Sequence, residues 1–342
     1  MIVRAPGKLV LSGAYAVLEG APALVAAVDR YVLADPARPA DLVTDEVQAA
    51  IDAGALDRAV WFDASALRSA APSAAAEPAA DAPIAASRKL GLGSSAAILV
   101  ATLAARAAAA ATTMATAAAA AAAAGQPMPA WDARALFLDA LAAHRRAQGG
   151  GSGVDVAASV HGGVLCCRLG PGGELAVAPH ALPGRLAIEV FASDAAARTS
   201  DMLERVRALA ARDPAAHRAL LGAAAEGAAA AVLAEDARAF VAALDRQVDA
   251  LGELGDRAGA PIVTAALRRL RPAAAAEGAA LAPSGAGGGD VSIFVGPAPP
   301  SAAFLQASRA AGLDRVPMSL GAPGVHVLDA ARPPHAPRVS PI

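Results

Sequence analysis

Lysine is nearly absent from this 342-residue chain, which carries only Lys8 and Lys89 beside 27 arginines. Lysine is a compact point charge on a flexible stem and arginine a planar fork, so the two are not interchangeable at a phosphate or catalytic site. Both lysines lie against glycine, in Ala5-Pro6-Gly7-Lys8 and in Lys89-Leu90-Gly91-Leu92-Gly93-Ser94-Ser95-Ala96. Phosphate handling is the chemistry this pairing suggests. Cysteine is equally scarce: Cys166 and Cys167 are adjacent in an apolar run, too tightly linked for an ordinary structural disulfide, and they fit a reducing compartment. Aromatic residues make up 3% and the net charge is −2, so the basic field and stacking surfaces of a nucleic-acid binder are missing. No HExxH and no CxxC pair occurs, which excludes the common zinc spacings. The apolar fraction of 56% is inflated by alanine. The longest apolar run, Ala101 to Ala124, lacks the Leu, Ile and Phe content that draws a helix into lipid. Pro6, Gly7 and Gly13 break any signal-peptide core. A soluble, cytoplasmic protein with no membrane partner is the expectation.

The length suits two domains. Short strands are expected at Ile2-Val3, Leu9 to Leu11 and Ala23 to Val28. Residues 34 to 87 read as β-like pieces and Ala/Pro-rich linker, with Ala70 to Ala86 of low complexity. A helix should start at Ser94 and run through the alanine stretch to about Ala124, and a second should span Trp131 to Gln148. Val164 to Leu169 and Leu186 to Ala192 read as strands, with Gly170 to Gly184 as the connection and candidate domain boundary. Ser200 to Leu270 reads as helical with breaks at Pro214 and Gly255. A strand at Val291 to Val295, a helix near Ala302 to Ala311, a strand near Val325 to Leu328 and a Pro-rich tail from Ala331 complete the chain. The mixture has no regular βαβ beat, so the fold class is α+β.

Three glycine clusters carry the candidate chemistry. Gly91 to Ala96 matches G-x-G-x-x-A, but Ala86-Ser87-Arg88-Lys89 precedes it and no acid occurs between Asp81 and Asp132, so the dinucleotide reading fails. Gly7-Lys8 is followed by Leu9, so a Walker A loop fails as well. What remains is a loop entering a helix N-terminus, which binds anions through unpaired N–H groups and the helix dipole; an ordinary Ser-capped helix is the plain alternative. Ser284-Gly285-Ala286-Gly287-Gly288-Gly289-Asp290 runs directly into a strand, where glycine permits close backbone approach. Gly149 to Asp155 is the third cluster, and Asp155 is the only acid between Asp139 and Glu174. It reads as a helix N-cap or as a catalytic carboxylate.

Together these motifs, in this order and over almost the whole chain, resemble the GHMP kinase superfamily. A-P-G-K-L resembles its first motif, G-L-G-S-S-A-A its ATP-phosphate loop and S-G-A-G-G-G-D its third. Tyr15 to Gly20, Ala27 to Tyr31 and Gly151-Ser152-Gly153-Val154-Asp155-Val156-Ala157 look most like the bacterial phosphomevalonate kinase branch. The chain departs from related patterns at Ala14, His144 and Ala282, where an acid, a magnesium-binding Glu and a lysine are usual.

The resemblance implies two domains, a ribosomal S5 domain 2-like unit over 1–178 that binds ATP and a ferredoxin-like unit over 179–342. It implies ATP and Mg²⁺ as cofactors and phosphomevalonate as a small-molecule acceptor, with the protein a monomer or homodimer. Lys8 and Asp155 would be catalytic. Lys89, Gly91, Leu92, Gly93, Ser94, Ser95 and Ala96 would hold ATP, with Ser95 on Mg²⁺. Ser152, Gly153, Ser284, Gly285, Ala286, Gly287 and Gly288 would form the substrate and phosphate loops, and Arg145, Arg146 and Arg198 are candidates for the acceptor's phosphate. Mevalonate kinase, another GHMP small-molecule kinase, or a ligand sensor without turnover are the alternatives.

Overall fold

The computed structural model describes residues 1–68, 89–119, 131–193 and 199–328. The expectations for Ala70 to Ala86, Ser87, Arg198, the helix beyond residue 119 and the tail from Ala331 lie outside the described residues. The strands are β1 (Val3–Ser12), β2 (Pro22–Asp35), β3 (Trp61–Asp63), β4 (Val164–Leu169), β5 (Leu175–Pro179), β6 (Ala187–Ser193), β7 (Ala280–Pro283), β8 (Val291–Gly296), β9 (Leu313–Arg315) and β10 (His326–Val327). The helices are α1 (Asp45–Asp52), α2 (Ser94–Ala119), α3 (Ala133–Gln148), α4 (Val154–His161), α5 (Thr199–Arg212), α6 (Pro214–Val232), α7 (Ala237–Ala258), α8 (Ala265–Ala276) and α9 (Ala302–Ala310).

Two antiparallel sheets organise the described residues. One runs β10-β1-β2-β4-β5 with β3 added to β2; the other runs β7-β8-β6-β9. α2 and α4 pack on β1 and β2, while α7 and α8 pack on β7. β1 has two register shifts, between Pro6 and Lys8 and between Val10 and Ser12. Such a bulge bends a strand and re-aims its side chains, so one bent strand replaces the two short ones expected from sequence. Its consequence is local: the Lys8 N–H leaves the ladder and donates to the Leu92 carbonyl at 2.9 Å.

Several boundaries differ from the sequence reading. α1 stands in a stretch read as β-like, capped by Thr44, whose hydroxyl accepts from Val47 N. The supposed connection 170–184 contains β5, which pairs with β4 along its whole length. The break expected at Pro214 is present: α5 ends at Arg212 and Pro214 opens α6 as its first residue, where its missing N–H costs nothing. Gly255, expected to break a helix, lies inside α7. By length and composition Ser94–Thr112 of α2 could cross a membrane, yet 61% of that stretch is buried inside the protein, where its Ala and Leu faces meet the sheet.

Candidate active site

A cavity of about 1180 Å³ opens where the glycine clusters meet. Its floor is Lys8, whose Nζ donates to the Gly91 carbonyl at 3.1 Å. Gly91 and Gly93 have φ of 67° and 72°, left-handed conformations in which glycine carries no steric cost. Space demands glycine there too. A Cβ at Gly93 would come within 2.9 Å of Lys8 Cγ and 3.5 Å of Asp155 Cβ, and one at Gly91 within 2.8 Å of Asp290 Cβ. The loop thus threads between the lysine, the aspartate and the last glycine cluster, then enters α2 at Ser94. The first N–H groups of a helix have no partner within it, and Ser94 and Ser95 face the cavity.

Asp155 is the second residue of α4. The N-cap is Gly153, which has no side chain to cap with, so the capping alternative for Asp155 is wrong. One Asp155 oxygen accepts from Val156 N at 3.0 Å, and the other lies 3.2 Å from His144 Nε2 on α3. Burial works to raise the Asp155 pKa, but the His144 charge and hydrogen bond, Lys8 and the Val156 N–H outweigh it and hold the carboxyl down at about 2. At Lys8 burial dominates and lowers the ammonium below its ordinary value, opposed by Asp155 and Asp290. For His144 burial opposes the charge, and Asp155 and Glu46 together raise it above the usual imidazole value.

The structure gathers some of the sequence candidates and sets others apart. Lys8, Lys89, Gly91, Gly93, Ser94, Ser95, Ser152, Gly153, Asp155, Gly285 and Ala286 line the cavity. Leu92 and Ala96 do not; both are buried in the core, and Leu92 contributes its carbonyl to β1. Ser284 is buried, and its hydroxyl bridges Val10 N and Val10 O at 3.0 Å each, fastening the third cluster to β1 rather than meeting a ligand. Gly287 packs against the Ile262 backbone, leaving no room for a side chain, and Gly288 N donates to Ile262 O. Arg145 is spent on backbone: it donates to Gly151 O and Ser152 O in the loop after α3 and to Gly173 O in the β4–β5 turn. Arg146 is exposed and outside the lining.

The lining also includes residues not named as site candidates from sequence: Tyr15, Arg68, Gln148, Arg207 and Asp290. Tyr15 has φ 61°, and its hydroxyl donates to Ala286 O at 2.6 Å. Asp290 was visible as the last residue of the third glycine motif. Arg207 had no signal beyond being one arginine among 27. An electropositive helix N-terminus, a buried ammonium and an ionised carboxylate in one cleft can bind a polyphosphate and orient a nucleophile toward it.

No protein-family model matches the chain, and no curated protein is similar to it in sequence. Solved structures are similar in fold. A protein from Listeria innocua superimposes with a TM-score of 0.73 at 20% identity, covering 96% of this chain and 99% of that one. Streptococcus pneumoniae phosphomevalonate kinase in complex with phosphomevalonate and AMPPNP gives 0.68 at 17%, covering 94% and 99%. L. major mevalonate kinase in complex with R-mevalonate gives 0.59 at 16%, covering 91% and 94%. The chain has the two-domain α+β fold of the GHMP kinases.

Proposed function

We propose that this protein is an ATP-dependent small-molecule kinase, and that its acceptor is phosphomevalonate. The observation that carries the reading is the convergence of Lys8, the Gly91–Ser95 loop at the N-terminus of α2, and Asp155 in a single cavity. Phosphoryl transfer asks a protein for positioning and charge neutralisation more than for covalent chemistry. In this reading the loop N–H groups and Lys89 hold the nucleotide phosphates. Lys8 stabilises charge on the oxygens around the transferred group, and Asp155 orients the attacking oxygen. Arg68 and Arg207 line the cavity wall and would face an acceptor that carries its own phosphate.

Mg²⁺ fits the donor set only as a nucleotide-borne ion. Among the described residues no three of His, Cys, Asp and Glu converge to hold a metal. The Ser95 hydroxyl, phosphate oxygens and waters would form its shell, as a hard cation that keeps water prefers. When bound it would neutralise charge on the phosphates.

The test is ADP release with Mg-ATP against phosphomevalonate, mevalonate, galactose and homoserine, alongside direct ATP binding. Turnover with phosphomevalonate alone is the expected result. Turnover with mevalonate alone would keep the kinase and reject the acceptor. ATP binding without turnover on any of the four would reject phosphomevalonate as the acceptor and favour a sensor or an acceptor outside the four.

A further inference from the structure

His144 is buried at 6% exposure, reaches the wall of the cavity, and has no part in the chemistry above. Its Nε2 meets Asp155 Oδ2 at 3.2 Å across the α3–α4 contact, while its Nδ1 has no hydrogen-bond partner. The charges acting on this pair come from three elements. Glu46 on α1 favours the imidazolium, and its own carboxylate accepts from Gln148 at 2.6 Å. Arg145 on α3 disfavours it, and Lys8 on β1 acts on Asp155 from the other side. Asp290, at the start of β8, acts on Lys8.

We propose that His144 is a positioning residue of the transfer site: as an imidazolium it fixes the Asp155 carboxylate through Nε2 and offsets its charge, which suits an acceptor oxygen that arrives already ionised. The inference rests on reading the cavity as a transfer site. The charges acting on Asp155 are those of His144 and Lys8, and Lys8 is shared with Asp290. The same pairing makes Asp155 a weak base. An alcohol must lose a proton as its oxygen bonds to the γ-phosphorus, and a carboxylate held this acidic takes it poorly. A phosphate oxygen attacks with its own electron pair; the bond from the γ-phosphorus to the bridging oxygen breaks, that pair leaves on ADP, and no proton moves.

The structure also supplies the discriminating variant. Because Nδ1 makes no bond, His144→Gln, which keeps one N–H donor near the Nε2 position, removes the charge and little else; His144→Ala removes both. Two readouts are needed. The first is the His144 imidazole titration by NMR in the ligand-free protein, wild type against Asp155→Asn. The second is the pH profile of kcat with phosphomevalonate in wild type and His144→Gln. The imidazole is expected to titrate above its ordinary value in wild type and to fall in Asp155→Asn. Wild-type kcat should decline as pH rises through that value, because the charge is lost there. In His144→Gln that alkaline decline should disappear, and kcat should drop about 10- to 100-fold, the usual cost of losing an outer partner, with KM for ATP unchanged. His144→Ala should lose more, and retention of wild-type kcat by either variant overturns the role. An imidazole that titrates at or below its ordinary value in both proteins overturns the pairing. A decline that persists in His144→Gln overturns the role even with the pairing intact. A wild type inactive on phosphomevalonate refutes that acceptor instead, and the titration still decides whether the pair exists.

Discussion

Lys8 owes its place to Gly7. A side chain at position 7 would come within 2.6 Å of Leu67 Cδ2 and 2.9 Å of the Leu92 carbonyl, so β1 closes on the phosphate-loop candidate only because that side chain is missing. The register shift there then directs the Lys8 N–H to Leu92 and its ammonium to Gly91. A Cβ on Gly93 would be 3.2 Å from Lys8 Cε, and one on Gly285 3.7 Å from Nζ, so the ammonium lies in a slot between two glycines. A planar guanidinium does not fit a slot shaped for a point charge. Lys8→Arg is therefore expected to lower kcat about 100-fold or more while the thermal melt stays within about 3 °C. Steady-state kinetics beside a melting curve checks this, and wild-type turnover would remove Lys8 from the machinery. The two lysines were legible because they are rare and each has glycine neighbours. His144 was legible only as a departure from a pattern, since a histidine inside a helix has no local signature and its partner is on another helix.

Helices that begin and end with their own capping residues could be read from sequence to within a few positions. Asp132 accepts from Arg134 N and Ala135 N to start α3, and Gly149 ends it in a left-handed conformation. The failures are elements whose signal lies in their partners. β5 is five residues between Glu174 and His180 that end in a proline, and only its ladder with β4 makes it a strand. Gly255 was read as a stop, yet it serves approach: a Cβ there would lie 2.5 Å from the Ala260 carbonyl, so the chain can fold back at the end of α7 with Ala260 N on Gly255 O at 2.8 Å. Gly227 does the same for the α6–α7 pair, where a Cβ would come within 3.0 Å of Ala243 O and of Gln247 Cβ and N. Helix propensity favours alanine there, but backbone on the facing helix cannot yield as a side chain can. Gly227→Ala should cost about 1–3 kcal/mol, read by urea denaturation, with KM for ATP unmoved. A gain in stability would show that the helices separate freely.

At the scale of the molecule, the two sheets are joined by polar contacts no sequence pattern announces. Gln247 on α7 is 2% exposed. Its carbonyl accepts from Gly13 N at 3.1 Å, and its amide donates to Ser12 Oγ and Ala224 O at 3.3 Å each. It thereby ties the end of β1 to α6 and α7. Gln247→Ala leaves the buried Gly13 N–H without an acceptor and should cost about 1–3 kcal/mol. Because the tie adjoins the cavity wall at Gly13 and Tyr15, affinity for ATP should weaken as well, measurable by calorimetry. Unchanged stability would mean that another acceptor takes over. The closing strand has a consequence for how the protein is made. β1 pairs on one side with β2 and on the other with β10, Val3 opposite Val327 and Arg4 opposite His326. The cavity needs Lys8 at one end of the chain and the Gly285–Asp290 turn near the other. During vectorial synthesis β1 leaves the ribosome long before β10 and keeps one edge bare until β10 follows. A nascent fragment that stops short of Gly285 lacks part of the cleft lining, so the ability to bind nucleotide should arise only once that turn has been made.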